Sequence, residues 1–249
     1  RLLARRKYLS RYGSSANCGS RNESPKNFSK DTLGFRGSFR DSSANITRLP
    51  KVKVLWIGGW GTYPQWGLTA VRRWRPDWDH EWITPGPGCE HHADGSHDWV
   101  GGYSFGAFLM LCNIDAFPAK KGRFYVAPFL DLKREAGLGG LLATTQLKVT
   151  RRWLKRDATQ AVSDFYKRAG LNIKLQDELP YALNDLIWGI ETLLGASAPL
   201  PDGNPGYAVF GSKDPLIDSN VTKQFFPMHT VREGSGHRLE SLRAALNLG

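Results

Sequence analysis

Apolar positions along the chain fall into two regimes, short β-branched runs closed by glycine or proline and longer stretches with helical spacing. Lys51-Val52-Lys53-Val54-Leu55-Trp56-Ile57 opens the ordered part as a strand running into the turn Gly58-Gly59-Trp60-Gly61. Trp66, Ala70 and Trp74 at i, i+4 and i+8 predict a short amphipathic helix. His80 to Thr84 reads as a second strand closed by Pro85-Gly86-Pro87-Gly88, Asp98 to Tyr103 as a third, and Arg123 to Ala127 as a fourth. Phe105 to Asn113 reads as the helix after Ser104. From Leu130 to about Leu194 the period is helical, with blocks at Leu141 to Trp153, Thr159 to Ala169 and Leu179 to Leu194. Gly206 to Phe210 resumes the strand pattern, and Leu239, Leu242 and Leu246 predict a final helix over Arg238 to Leu248. Strands alternating with helices imply an α/β protein with a mostly parallel sheet, and the all-helical block reads as an insertion across one edge of it.

Residues 1–50 lack this patterning. They are rich in Ser, Asn, Gly and Arg and are expected to be a flexible basic tail. An Arg- and Ser-rich, acid-poor start is compatible with a transit peptide, a translated upstream region or a plain tail, and the plain tail is favoured. The same segment explains the charge: of the formal +11, +8 lies in residues 1–50 and only +3 in residues 51–249, so nucleic acid is not expected as a partner. In 249 residues, 41% of them hydrophobic, one domain over residues 51–249 is expected. No apolar stretch reaches the roughly 20 residues that span a bilayer, so a soluble chain with no membrane partner is expected. Cys18, Cys89 and Cys112 are irregularly spaced, which fits a reducing, cytoplasmic setting better than a disulfide framework.

The chemistry centres on Gly102-x-Ser104-x-Gly106, flanked by a strand and a helix as a nucleophile elbow requires. A serine in an ordinary glycine-rich connection is the alternative. Downstream, Asp214 follows a strand in Gly211-Ser212-Lys213-Asp214, and His237 precedes the last helix in Gly234-Ser235-Gly236-His237. The order Ser, Asp, His is the one this architecture imposes. A serine hydroxyl needs an imidazole to take its proton, and the imidazole needs an acid to fix its tautomer. Asp214 could instead cap the turn at Pro215, and His237 the final helix. An oxyanion would be held by two backbone N–H groups, those of Phe105, the residue after the serine, and of Trp60 in the first glycine turn.

With these residues in place, the chain resembles the α/β-hydrolase superfamily, and within it the carboxylesterases that act as pimeloyl-acyl-carrier-protein methyl ester esterases in biotin synthesis. The resemblance rests on Gly59-Trp60-Gly61, the small-Ser-small elbow at Ser104, Gly211 to Asp214, and Gly236-His237, and covers residues 52 to 248. The helical block is similar to that family's lid in Pro128-Phe129, the Leu141 to Trp153 helix, Asp164-Phe165-Tyr166, Ala169-Gly170-Leu171 and Leu186 to Glu191. Two departures stand out. Gly58 replaces the His that usually opens the turn, and the segment Cys89 to His97 is too short for the usual helix before the elbow.

The resemblance implies a serine esterase working through an acyl-enzyme, with no cofactor, a small-molecule ester as substrate and a lid at about residues 130–195. It also implies that Lys148, Arg151, Arg152, Lys155 and Arg156 form a basic surface for an acidic acyl-carrier protein, although a solvated helix face reads equally well. Trp60, Tyr103, Phe105 and Trp153 are candidates for an acyl-pocket wall or for core. A monomer is expected. A carrier-independent short-chain carboxylesterase or thioesterase, and an inactive hydrolase-fold binding protein, are the competing readings. His91, His92 and His97, near Glu90, Asp94 and Asp98, read as a solvated loop rather than a metal site, because none has the i, i+4 helical placement of a hydrolase zinc motif.

Overall fold

Strand β1 (Lys53–Ile57) is buried at every position after its first, and that burial marks it as a sheet interior covered on both faces. The computed structural model describes residues 51–245; the expected tail at 1–50 and the end of the expected last helix lie outside the described residues. Five further strands, β2 (Asp79–Ile83), β3 (Trp99–Tyr103), β4 (Gly122–Val126), β5 (Tyr207–Gly211) and β6 (His229–Arg232), complete one sheet in the order β2-β1-β3-β4-β5-β6. Every neighbouring pair is parallel. Parallel strands put all their C-terminal ends at one edge, and the register pairs Ile57 with Gly102, setting the turn after β1 beside the turn after β3.

Helix α1 (Pro64–Trp74) starts two residues before the predicted Trp66, because Pro64 is pre-set for a first helical turn after extended Tyr63. It buries Gly67, Ala70, Val71 and Trp74 against an aromatic cluster in which Trp56 stacks on Trp82 and meets Phe124 edge-on. Helix α2 (Phe105–Cys112) follows the elbow and is apolar almost all round, as a helix packed deep against the sheet must be.

Between β4 and β5 lie α3 (Thr144–Arg156), α4 (Ala158–Arg168) and α5 (Leu183–Gly195). The predicted start of α3 at Leu141 moves to Thr144, since Leu141 donates to the Leu216 carbonyl and Leu142 bridges to Lys133 in extended backbone. Asp157 ends α3 and caps α4, its side chain accepting from the Gln160 N–H at 2.9 Å. The two ends of this excursion meet: Ala198 N–H donates to the Leu130 carbonyl at 2.7 Å, and buried Asp131 receives Ser197 and Lys133. The Lys133 ammonium also donates to the Leu193 and Ala196 carbonyls at the end of α5.

A short α6 (Ser219–Thr222) precedes β6, a strand not predicted. The expected final helix is a 3₁₀ segment, Leu239–Ala245, with Leu239 and Leu242 buried. Their spacing of three suits the three-residue turn of that helix as well as it suits an α-helix. No helix among the described residues is long and apolar enough to cross a membrane.

Candidate active site

Ser104 stands between β3 and α2 with φ 52° and ψ −113°, a conformation that L-residues avoid. The neighbouring glycines make the turn possible. A Cβ on Gly106 would lie 2.1 Å from the Ile57 carbonyl oxygen and 2.6 Å from that of Gly58, and one on Gly102 would lie 2.6 Å from the Ala107 backbone. The helix therefore starts tight against the end of β1. The Ser104 N–H donates to the Val126 carbonyl at 2.8 Å, and its own carbonyl accepts from Phe108 at 3.0 Å, so the strained residue is held on both sides.

The loops after β5 and β6 are fastened to one another. Lys213 N–H donates to the Ser235 carbonyl at 2.8 Å, Ser212 N–H to that of Arg232 at 3.0 Å, and the Ser212 hydroxyl accepts from Gly234 at 2.9 Å. This brings Asp214 against His237. One Asp214 oxygen, Oδ1, accepts from the Leu216 and Ile217 N–H groups at 2.8 and 3.2 Å, and Oδ2 lies 2.7 Å from His237 Nδ1. His237 Nε2 is 2.8 Å from Ser104 Oγ. Since the carboxylate only accepts, the proton sits on Nδ1 and Nε2 faces the serine hydroxyl as acceptor. Ser104, Asp214 and His237 are all buried. The unbroken line Asp214, His237, Ser104 has the geometry of a proton relay to a nucleophile.

Phe105 is the first residue of α2, so its N–H belongs to the set that no helical carbonyl satisfies. Trp60 lies in the turn next to the elbow. Its side chain is buried, with the indole N–H donating to the Leu186 carbonyl at 2.8 Å. Of the four rings named as pocket candidates, those of Trp60 and Phe105 are buried in the core, and it is their backbones that bear on an oxyanion.

Of the two readings open for Tyr103, pocket wall or core, its burial fits core. Tyr103 is buried beside His237, and its hydroxyl donates to the His237 carbonyl at 2.9 Å, so it props the histidine loop. Trp153 is 40% exposed on the flank of α3. Lys148, Arg152 and Lys155 project from the outer face of α3, and half-buried Arg151 reaches Glu191 at 3.7 Å. Neither Trp153 nor any of these basic side chains is linked by a hydrogen bond or ion pair to Ser104, Asp214 or His237.

His91 and His92 are exposed in the 3₁₀ turn Cys89–His92, whereas His97 is buried with Nε2 3.2 Å from Glu81. A polar surface cleft of about 450 Å³ runs past them along Lys53, Asp79 and Glu81. Lys53 and Asp79 open β1 and β2, which puts the cleft at the sheet edge opposite Ser104. Among the described residues no group of three or more His, Cys, Asp or Glu side chains is arranged to hold a metal ion. Sequence reading missed Tyr63, Tyr166 and Tyr181, whose hydroxyls reach the Trp60 turn and its ties across more than a hundred residues of chain.

No protein-family model matches the sequence, and no curated protein matches it. Solved structures do. The chain is similar to an esterase from Exiguobacterium antarcticum, with a TM-score of 0.55 and 12% identity over 74% of this chain and 84% of that one. It is also similar to an epoxide hydrolase from Bacillus megaterium (TM-score 0.48, 11% identity, 78% and 89% covered). BioG from Haemophilus influenzae gives a TM-score of 0.40 at 16% identity, with 74% and 88% covered. With six parallel strands, a serine elbow after β3 and the esterase's backbone overlying three quarters of its length, the chain has the α/β-hydrolase fold.

Proposed function

We propose that the chain is a serine carboxylic ester hydrolase. The carrying observation is the pair of short contacts, Ser104 Oγ to His237 Nε2 and His237 Nδ1 to Asp214. Ser104 Oγ attacks the ester carbonyl carbon while its proton passes to His237 Nε2. The Trp60 and Phe105 amides receive the oxygen that gains charge. Collapse expels the alcohol, which takes the proton from His237, and leaves an acyl-serine. Water then attacks that ester, giving its proton to His237, and the second collapse releases the acid and returns the proton to Ser104. Asp214 keeps the imidazole oriented throughout and balances its positive form.

Turnover of p-nitrophenyl acyl esters by the wild type and its loss in Ser104→Ala tests the reading; a variant as active as the wild type would overturn it. The substrate we propose is a pimeloyl-acyl-carrier-protein methyl ester in biotin synthesis, with residues of about 130–195 as lid. The basic outer face of α3 supports it, since Lys148, Arg152 and Lys155 stand free to meet an acidic carrier. A carrier-bound methyl ester should then be hydrolysed faster than the free ester at low salt, with the advantage shrinking as salt is added. Equal rates at both salt concentrations would favour a carrier-independent esterase.

A further inference from the structure

The turn expected to supply an oxyanion amide is held almost entirely from outside itself. Within the turn, Thr62 N–H and hydroxyl both bond the Gly59 carbonyl, at 3.3 and 3.0 Å. Among the described residues, all other hydrogen bonds to Trp60, Gly61 and Tyr63 side chains or to the Gly61 backbone come from the chain between β4 and β5. Gly61 N–H donates to the Tyr181 hydroxyl at 2.7 Å, and the Gly61 carbonyl accepts from the Tyr166 hydroxyl. Trp60 is tied by its indole N–H to Leu186 and meets the Phe165 ring edge-on at 4.7 Å. The Tyr63 hydroxyl donates to the Glu178 carbonyl at 2.8 Å and accepts from Gln176 N–H at 3.0 Å.

Gly61 has φ +69°, so the turn runs through a residue of wide conformational freedom next to a group that must be aimed. Tyr181 fixes the peptide joining Trp60 to Gly61, and Tyr166 fixes the peptide after it. The Trp60 N–H itself lies in the preceding peptide, whose Gly59 carbonyl is held by Thr62. With that peptide held on one side, the Tyr181-bonded peptide on the other and the ring fixed by Leu186, rotation about both Trp60 backbone bonds is blocked and the direction of its N–H is set. Oxyanion donors act only when they are aligned before charge develops, which makes such fixing a catalytic matter. Burial raises both phenols above their ordinary range, which keeps them in the neutral form that donates and accepts.

We propose that Tyr181 and Tyr166 are positioning residues that hold the Trp60 amide in its oxyanion-binding orientation. The inserted helices then complete the reaction centre in addition to covering it. This rests on the ester-hydrolase reading of Ser104.

The test uses Tyr181→Phe and Tyr166→Phe in the full chain, because each removes one oxygen and retains the packed ring. Deleting an oxyanion donor outright costs about 10²–10³ in kcat, so a donor merely loosened should cost about 10-fold. Each variant is expected to lose about that factor in kcat on a p-nitrophenyl ester with KM within about twofold of wild type. Each should also lose about the same factor in affinity for an alkyl boronic acid, which forms a tetrahedral adduct on Ser104. Deuterium exchange in the peptide covering residues 58–63 should quicken. Unchanged kcat, or a rise in KM alone, overturns the proposal, as does a kcat loss that tracks lowered thermal stability and vanishes on cooling. Failure of the underlying reading looks different: the wild type itself then neither turns over esters nor forms the boronate adduct.

Discussion

His237 Nε2 lies 2.8 Å from Ser104 Oγ across 133 residues of sequence, and the contact exists because three separate strand ends open at one edge of a parallel sheet. Asp214 controls its direction. In Asp214→Asn, the amide oxygen would keep the bonds from Leu216 and Ile217, leaving the NH₂ to face His237 Nδ1. The ring proton would move to Nε2 and point at the serine. We expect kcat to fall about 10⁴-fold with the fold intact. Retention of more than a tenth of wild-type kcat on a p-nitrophenyl ester would rule out this orienting role.

Gly106→Ala should damage the elbow and not merely the helix start. The added carbon would meet the Ile57 carbonyl carbon at 2.5 Å as well as two carbonyl oxygens, all of them backbone atoms that cannot swing aside. A cost of about 3 kcal/mol is expected, seen as a melting temperature lower by about 6–12 °C. A melting temperature within about 2 °C of wild type would contradict it.

Trp56 and Trp82 stack at 5.8 Å yet differ in one bond. The Trp56 indole N–H donates to His80 Nδ1 at 3.1 Å, whereas the Trp82 N–H is buried with no partner. Trp82→Phe removes an unsatisfied donor while opening a small void, and the two effects should cancel to within about 1 kcal/mol. Trp56→Phe opens a similar void and strands the His80 acceptor, so it should cost about 2 kcal/mol more. Urea denaturation of the two variants side by side decides the matter; equal losses would refute the distinction.

His80 should make stability depend on pH. It is held neutral, accepting from Trp56 at Nδ1 and donating from Nε2 to the Arg75 carbonyl at 2.8 Å. Burial, the largest influence, lowers its pKa from the ordinary 6.5. Below about 6.5 the unfolded chain therefore takes up a proton that the folded chain resists, and stability falls with pH. The contribution is complete above that value and is lost as pH drops towards the folded-state pKa. His80→Gln keeps an acceptor and a donor without titrating, so the urea midpoints of wild type and variant should converge between pH 7.5 and 5. Parallel midpoints across that range would exclude a neutral buried His80.

Strands β1 to β5 were legible to within a residue or two, because apolar or aromatic residues recur in each and glycine or proline stands within or close after it. β6 was not, since His229-Thr230-Val231-Arg232 is an edge strand, paired only with β5, exposed or half-buried along its length, and carries no apolar run. Ser104, Asp214 and His237 could be read because turn residues and chain order mark them together. Tyr181 and Tyr166 could not. A side chain bonding a distant main-chain group leaves no period and no spacing in the sequence. Tyr103 was left open between wall and core for a related reason, since aromatic identity does not tell a pocket wall from a buttress behind a loop. His97 shows the same limit: its neighbours in sequence suggest a solvated loop, but Glu81, a strand away, helps bury it.

The excursion that carries α3, α4 and α5 leaves the sheet at Leu130 and returns at Ala198, where a single backbone bond joins departure to return. To the strands on either side it is therefore a closed loop, whatever its content. Lengthening such a loop adds only about 0.6 kcal/mol per doubling in closure entropy, and it shifts no strand register. Gly139 to Leu141 bond the segment Leu216 to Asp218 beside Asp214 and belong to the frame, but the helices beyond them, Thr144 to Gly195, form an interchangeable cassette: a different set could be spliced there and leave Ser104, Asp214 and His237 in place.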